Sequence, residues 1–526
     1  MDVRSGMRRL LTGGALMGAC GLTAVAGGSP AWAAGGLRSV RVDAAQTVGT
    51  IRSLQGVSGT PLPGDDSHPD FTTQHRRLSV DVARTHDIDC KGTGDLDGAG
   101  VNRIFPDFSA DPDDPASYDF GPTDRAILSI VRAGEDVEFN LGRSDLRCAG
   151  IEANDAPPPD PGTYAAVARH VAQHYNDGWA DGYHLGIRNW EIWNEPDLRP
   201  FWSGTSEQYY ALYAATSRAL KSLHPWMQIG GPALTTNNDL AGYRESLLAF
   251  IRANHLPLDF WSIHHYTDFS NDPLNFKRLA DATRTLLDGY GFQRTAIHLT
   301  EWNYALTEEP SAAQRAAFAA SSLILMQDSP LSRAVYHRAD REGGPSWQLI
   351  NDDGTLSKTG DAFAAVGSMS RTPLRLATGG GDDQGFSVEA GRTRDRGRDG
   401  EVRVLLSNYE IPAADQGPLP FPDNVFTIPG IASFTLLDRR TVTYADNNGY
   451  DLTVDDLPGA GRGYVVSRYR VDEQHDLTLV DESVQYGGAV RVSATLPAPA
   501  VELVVIKPLH GRGDHHGQHH PGGPGH

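Results

Sequence analysis

Cysteine is scarce in this chain: three in 526 residues, at Cys20, Cys90 and Cys148. That is too few for a cysteine-built metal cluster. Basic residues are outnumbered, 46 Lys and Arg against 66 Asp and Glu, for a net charge of −20. A surplus of negative charge repels polyanions, which argues against nucleic acid as a partner and suits an uncharged substrate. Long apolar runs are missing apart from one at the N-terminus, so no membrane span is expected. No dense group of His and Asp marks a metal centre, His86, Asp87 and His264 coming nearest to one. Neither a metal nor another cofactor is expected.

What is present is ordinary globular material, 39% hydrophobic and 21% charged, long enough for two domains. The N-terminus reads as an export signal. Arg4, Arg8 and Arg9 precede an apolar stretch over Leu10–Gly27, and Ala31-Trp32-Ala33 fits a cleavage site. Arg8-Arg9-Leu10-Leu11 resembles a twin-arginine signal, with an ordinary secretory signal as the alternative. The expectation is a secreted protein that loses residues 1–33 and Cys20 with them. Cys90 and Cys148 then invite one disulfide, two shielded thiols being the alternative.

From about residue 50 to 370, strand-like and helix-like segments alternate, which predicts an α/β fold with a parallel sheet. Eight strands are expected: Ser53–Ser58, Asp81–Ile88, Val137–Gly142, Asn189–Glu195, Gln228–Ala233, Asp259–Tyr266, Ala296–Asn303 and Arg333–Asp340. Apolar residues three and four apart predict helices over Tyr164–Tyr175, Glu207–Leu223, Tyr243–Asn254, Phe276–Tyr290 and Ala312–Gln327. Eight such units make a (β/α)8 TIM barrel over 50–370. After Met369 the strand-like runs Val402–Tyr409, Ser433–Leu437, Gly463–Tyr469 and Val501–Lys507 follow without helices between them. This predicts a C-terminal antiparallel β-sandwich over 371–508. Residues 34–49, with the run Val40–Val48, are placed to join it. The tail 509–526 is rich in Gly, His and Pro, has no apolar pattern and is expected to be disordered.

Two carboxylates stand out. Glu195 ends Trp190-Glu191-Ile192-Trp193-Asn194-Glu195-Pro196-Asp197, and Glu301 lies in Ile297-His298-Leu299-Thr300-Glu301-Trp302-Asn303. Each follows a run of alternating apolar residues, and each is flanked by Trp and Asn. Barrel enzymes carry their chemistry at the C-terminal ends of strands. Cleaving a glycosidic bond needs two carboxyl groups on one sugar, and about 5–5.5 Å between them gives retention. Asn194 is suited to donate a hydrogen bond to a sugar 2-hydroxyl. This makes Glu195 the general acid/base and Glu301 the nucleophile. Glu191 falls on the same strand face as Glu195, either for substrate or for an internal salt bridge. Trp302, Trp347 and Trp202 are candidate stacking platforms, or core.

The ordered set resembles the clan of retaining (β/α)8 glycosidases, and within it glycoside hydrolase family 39, which holds β-xylosidases and α-L-iduronidases. The features are Arg84-Thr85-His86, Ile104-Phe105-Pro106-Asp107, Tyr118–Asp124, Phe139-Asn140-Leu141-Gly142 and Asp259–Tyr266, with Asn194-Glu195-Pro196 and Thr300–Asn303. The resemblance implies a carbohydrate substrate, a barrel joined to a β-sandwich, and His86, His264 and Tyr266 lining the subsite beside the cleaved bond. It also implies that Arg84 holds the nucleophile ionised. His265 is expected to face the helical layer. After the eighth strand, Ala334–Asp340 is more polar than in xylosidase members, and offers Arg338 or His337 to a substrate carboxylate or outer hydroxyl. β-Xyloside cleavage is the expectation. A non-catalytic carbohydrate-binding barrel, an endo-acting enzyme, and specificity for arabinose, galactose or uronic acid are the alternatives. Oligomeric state is left open.

Overall fold

The computed structural model describes residues 37–62, 69–86, 100–142, 156–235, 242–305, 308–340, 347–395, 400–430, 432–444, 449–457 and 463–509. The expected export segment with Cys20, the cysteines Cys90 and Cys148, Asp87, and the tail beyond Leu509 lie outside the described residues.

After an N-terminal strand, β1 (Arg38–Thr50), eight strands close a parallel barrel. They are β2 (Gly56–Ser58), β3 (Val82–Arg84), β4 (Asp136–Leu141), β5 (Asn189–Ile192), β6 (Gln228–Thr235), β7 (Phe260–Tyr266), β8 (Ala296–Asn303) and β9 (Leu331–Tyr336). Every neighbouring pair is parallel, and β2 pairs with β9 to close the ring. The expected eight strands and five helices all form. A short helix over Thr72–Leu78 and longer ones over Gly121–Ala133 and Lys358–Gly367 add to them. The barrel strands are buried on both faces, which is why they read as near-continuous apolar runs.

Helix starts follow local chemistry. Asp160 accepts from the Thr163 amide ahead of Pro161, and Thr205 with Gln208 forms a reciprocal capping box. Ser311 caps Ala312–Met326 through the Gln314 amide. That helix is buried almost all round because it lies between the barrel and a second sheet. Ser407 Oγ donates to Ala317 O across the junction at 2.9 Å.

The second sheet has nine strands in the order β17-β16-β19-β12-β11-β10-β1-β15-β18. They are β10 (Leu374–Gly379), β11 (Phe386–Arg392), β12 (Val402–Asn408), β15 (Gly449–Asp455), β16 (Tyr464–Val471), β17 (Thr478–Gln485), β18 (Val490–Thr495), β19 (Ala500–Pro508) and β1. A separate hairpin, β13 (Val425–Ile428) with β14 (Ala432–Thr435), lies between β12 and β15 in the chain. Pairing in the large sheet is antiparallel except between β1 and β15. Val40, Val404, Leu452, Val466, Val490 and Val504 share one apolar core, so the sheet folds over on itself to make the sandwich, here called the β domain. The N-terminal strand β1 sits inside it, between β10 and β15.

Candidate active site

Two departures from regular strand geometry aim the site. The fourth barrel strand, expected to run to Glu195, ends at Ile192. The chain then passes through Trp193 at φ 74° and Glu195 at φ 45°. Left-handed backbone at non-glycine residues costs about 1–3 kcal/mol each, and is kept where surrounding contacts fix it. The Glu195 amide donates to Ala233 O at 3.1 Å, and Asn140 Nδ2 donates to Trp193 O at 2.8 Å. In the seventh barrel strand the pairing slips by one residue. Ile263 faces Leu299 but His264 faces Glu301, leaving Thr300 as a bulge. The slip reverses the alternation, so His298 below it and Glu301 above it both enter the barrel interior.

Arg84 from β3 sits at the centre, fully buried. Its guanidinium donates to Glu191 Oε2 at 2.7 Å, to Glu301 Oε1 at 3.0 Å and to Asn194 Oδ1 at 2.8 Å. Glu191 also accepts from Asn140 Nδ2 at 2.8 Å. Burial pushes the Glu191 carboxyl up, but Arg84, His264 and its hydrogen bonds outweigh burial and leave it below the usual glutamate range. Glu191 therefore completes an internal salt bridge. The other oxygen of Glu301 accepts from the Tyr266 hydroxyl at 2.5 Å. His86, His264 and His337 each bring Nδ1 within 3.7–3.8 Å of Glu301. His264 Nδ1 lies 2.7 Å from Glu195 Oε1, which puts the ring between the two carboxylates. Glu195, His264 and Glu301 each offer an atom within 4.8 Å of the other two. Among the described residues no other group of His, Cys, Asp and Glu is compact enough to hold a metal ion.

Arg84, His86, Asn194, Glu195, His264, Tyr266 and Glu301 are thus brought together. Trp347 joins them, its ring 6.0 Å from that of Tyr266 and 5.8 Å from that of His337. Trp302 does not. Next to the inward-facing Glu301, it points the other way and is fully buried edge-on against Phe276 and Tyr336, with no face for a sugar. Trp202 likewise packs on Trp193 and Tyr209. His265 turns to the helical layer against Phe276, where burial lowers it to about 4.

His337 faces Glu301 itself, and Asn303 and Asp197 are further site residues that the sequence does not single out. Asn303 Nδ2 donates to His337 O at 2.5 Å and so ties β8 to the end of β9. The polar end of the eighth strand was the available signal for His337. Asp197 accepts from the Thr235 hydroxyl at 2.5 Å. Burial raises its carboxyl to about 7 against that hydrogen bond, with help from the charge of Glu195. Its place in Asn194-Glu195-Pro196-Asp197 was the only hint.

Comparison with known proteins agrees with this geometry. The profile of "Glycosyl hydrolases family 39" matches residues 154–337. The chain is similar to a β-xylosidase of Geobacillus stearothermophilus, 27% identical over 225 residues, or 38% of this chain and 44% of the relative. It is also similar to a β-xylosidase of Caldicellulosiruptor saccharolyticus, 29% identical over 274 residues, or 47% and 52%. It thus spans about half the length of these curated relatives. Among solved structures, a monomeric β-xylosidase from Caulobacter crescentus shares the fold, with a TM-score of 0.63, 18% identity and coverage of 90% of this chain and 100% of that one. A glucosidase from Croceicoccus marinus is nearer, with a TM-score of 0.80 and 32% identity over 90% of this chain and 99% of that one. With a likeness of that extent, and carboxylates meeting from the fourth and seventh barrel strands, the chain belongs to glycosyl hydrolase family 39.

Proposed function

We propose that this protein is a secreted glycoside hydrolase that cleaves an uncharged β-glycoside, β-xyloside first, with retention of configuration. The observation that carries the reading is the gap within 4.8 Å between carboxylate oxygens of Glu195 and Glu301. It suits direct attack on the sugar by one of them and is too short for the water that an inverting enzyme places between its carboxyls. Glu301, facing the Arg84 cation and the Tyr266 hydroxyl, is the nucleophile. Glu195 gives its proton to the leaving oxygen as the Glu301–sugar bond forms. It then takes a proton from the water that breaks that bond.

His264 holds the general acid/base in place, its Nδ1 lying 2.7 Å from Glu195 Oε1. Asn194, its Oδ1 fixed by Arg84, has its amide nitrogen left to face a sugar hydroxyl. Arg338, offered by the sequence to a substrate carboxylate, is paired in full burial with Asp340 at 2.6 Å, which supports an uncharged sugar over a uronide. A β-glucoside is the second reading, favoured by the likeness to the Croceicoccus marinus glucosidase. The export pattern around Arg8-Arg9 supports action outside the cell.

The test is release of nitrophenol from aryl β-xyloside, β-glucoside, β-galactoside, α-arabinofuranoside and α-iduronide, with Glu301→Ala as control. Release from a neutral β-glycoside, lost in the control, is expected. Iduronide as the best substrate contradicts the uncharged-sugar reading. Silence across the panel and on oligosaccharides leaves only a binding protein.

A further inference from the structure

The loop after β7 carries on directly from Tyr266, and the β domain grips it repeatedly. Tyr409 OH donates to Asn271 O at 2.8 Å, and Asn271 Nδ2 donates to Asp415 Oδ2 at 2.8 Å. Arg440 holds Asp272 with two parallel bonds, Nε to Oδ2 at 2.6 Å and Nη2 to Oδ1 at 2.8 Å. The Phe269 ring packs against Phe421 at 5.1 Å and Phe426 at 5.2 Å, the latter from the hairpin strand β13. The same Asn271 amide also reaches Glu308 Oε2 at 2.8 Å, and its oxygen accepts from the Ala305 amide at 3.2 Å. One side chain thus joins the loop after β7, the loop after β8 and the β domain.

The gripped loop is strained. Phe269 at φ 66° and Asn271 at φ 43° are left-handed without being glycine, a conformation that persists only where neighbours hold it. Two other contacts between barrel and β domain differ in kind. Lys358 to Asp476 at 2.5 Å and Ser321 to Ser407 at 3.0 Å tie down helices and touch no loop at the C-terminal ends of the strands.

We propose that the β-domain segment Tyr409–Tyr444 is a positioning element, which through Arg440, Asp415 and the Phe421–Phe426 pair fixes the loop that sets Tyr266 against Glu301. The inference rests on the glycosidase reading, with Glu301 as nucleophile. Arg440, Asp272 and Asn271 are positioning residues, since they act through Tyr266. The β domain is then part of the catalytic apparatus rather than an appended binding module.

The full-length protein is assayed on its best aryl glycoside as wild type, Arg440→Ala, Asp272→Asn and Arg440→Lys, each also combined with Tyr266→Phe. Arg440→Ala is expected to lower kcat roughly tenfold with KM within about twofold, as remote misplacement of a reacting group does. In the Tyr266→Phe background the same change is expected to cost less than about twofold, because the contact it protects is already gone. Arg440→Lys recovers part of the loss. Lys358→Ala, which loosens the domain junction elsewhere, lowers the thermal midpoint and leaves kcat unchanged. The proposal is overturned if Arg440→Ala and Asp272→Asn keep wild-type kcat. It is equally overturned if they cost the same factor with and without the Tyr266 hydroxyl. Hydrolysis that survives Glu301→Ala overturns the assignment of Glu301 as nucleophile instead, and no hydrolysis of any glycoside by the wild type overturns the glycosidase reading.

Discussion

Arg84→Met is the most informative single change at the site. It removes a guanidinium shared by Glu191, Glu301 and Asn194 at 2.7, 3.0 and 2.8 Å. The arginine and both glutamates are at most 1% exposed, so water does not replace the lost partner. Removing one member of a buried pair costs about 3–5 kcal/mol, most of it from the charge left behind. The pH dependence gives a second readout. In the native protein the Glu191 pKa is depressed, so its contribution is present above the unfolded value and is lost as pH falls through the folded value, below 4.5. Without Arg84, burial dominates and raises that pKa, so the contribution changes sign and the variant loses stability as pH rises above the unfolded value. Urea unfolding followed by tryptophan fluorescence at pH 5 and pH 7 measures both effects. The variant should be more stable at pH 5 than at pH 7. Adding Glu191→Leu should recover most of the stability but not the activity, because Glu301 still lacks its cation. A loss below about 1 kcal/mol, or no recovery in the double variant, refutes the salt-bridge account.

Further expectations follow from other residues. Glu195→Ala should keep turnover of substrates with very good leaving groups and regain speed with azide, whereas azide rescue of Glu301→Ala with retained configuration would exchange the two roles. Glu389 in the β domain is 1% exposed, and burial raises it to about 7 from 4.5 despite Arg375. It holds its proton in the fold over a range where the unfolded chain has lost it, so it weakens stability as pH climbs from about 4.5 to 7, by up to the order of 3 kcal/mol. Glu389→Gln should flatten that slope in denaturant titrations, and an unchanged slope contradicts it. Gly59→Ala should cost at least about 2 kcal/mol in thermal or urea unfolding, because φ is +99° and the new methyl would meet Asp340 Oδ1 at 2.9 Å. Activity in excess EDTA should be unchanged, and loss restored by a divalent metal would mean that Glu195, His264 and Glu301 work as a metal site.

Much of the barrel was legible because parallel strands are buried on both faces and their amphipathic helices repeat at regular intervals. The site was legible where strand alternation holds, as at His264, His265 and Tyr266. Where it fails, sequence reasoning fails with it. The Thr300 bulge and the left-handed turn at Trp193 and Glu195 are backbone events set by tertiary contacts, and no local propensity announces them. Trp302 shows the consequence: its place beside Glu301 suggests a sugar platform, but one step along a strand puts it on the opposite face. Asn271 was invisible for another reason. Its partners Glu308 and Asp415 come from distant parts of the chain, and only the packing of the β domain on the barrel brings them together.

A covalent bond between Glu301 and the sugar can be caught by trapping. The enzyme is incubated with a 2-deoxy-2-fluoro glycoside bearing a good leaving group and matched to its best substrate, then digested and analysed by mass spectrometry. One added fluorosugar is expected on the peptide containing Thr300-Glu301-Trp302, and none in Glu301→Ala. A label on Glu195 instead, or turnover without a label and with inverted product, would contradict it.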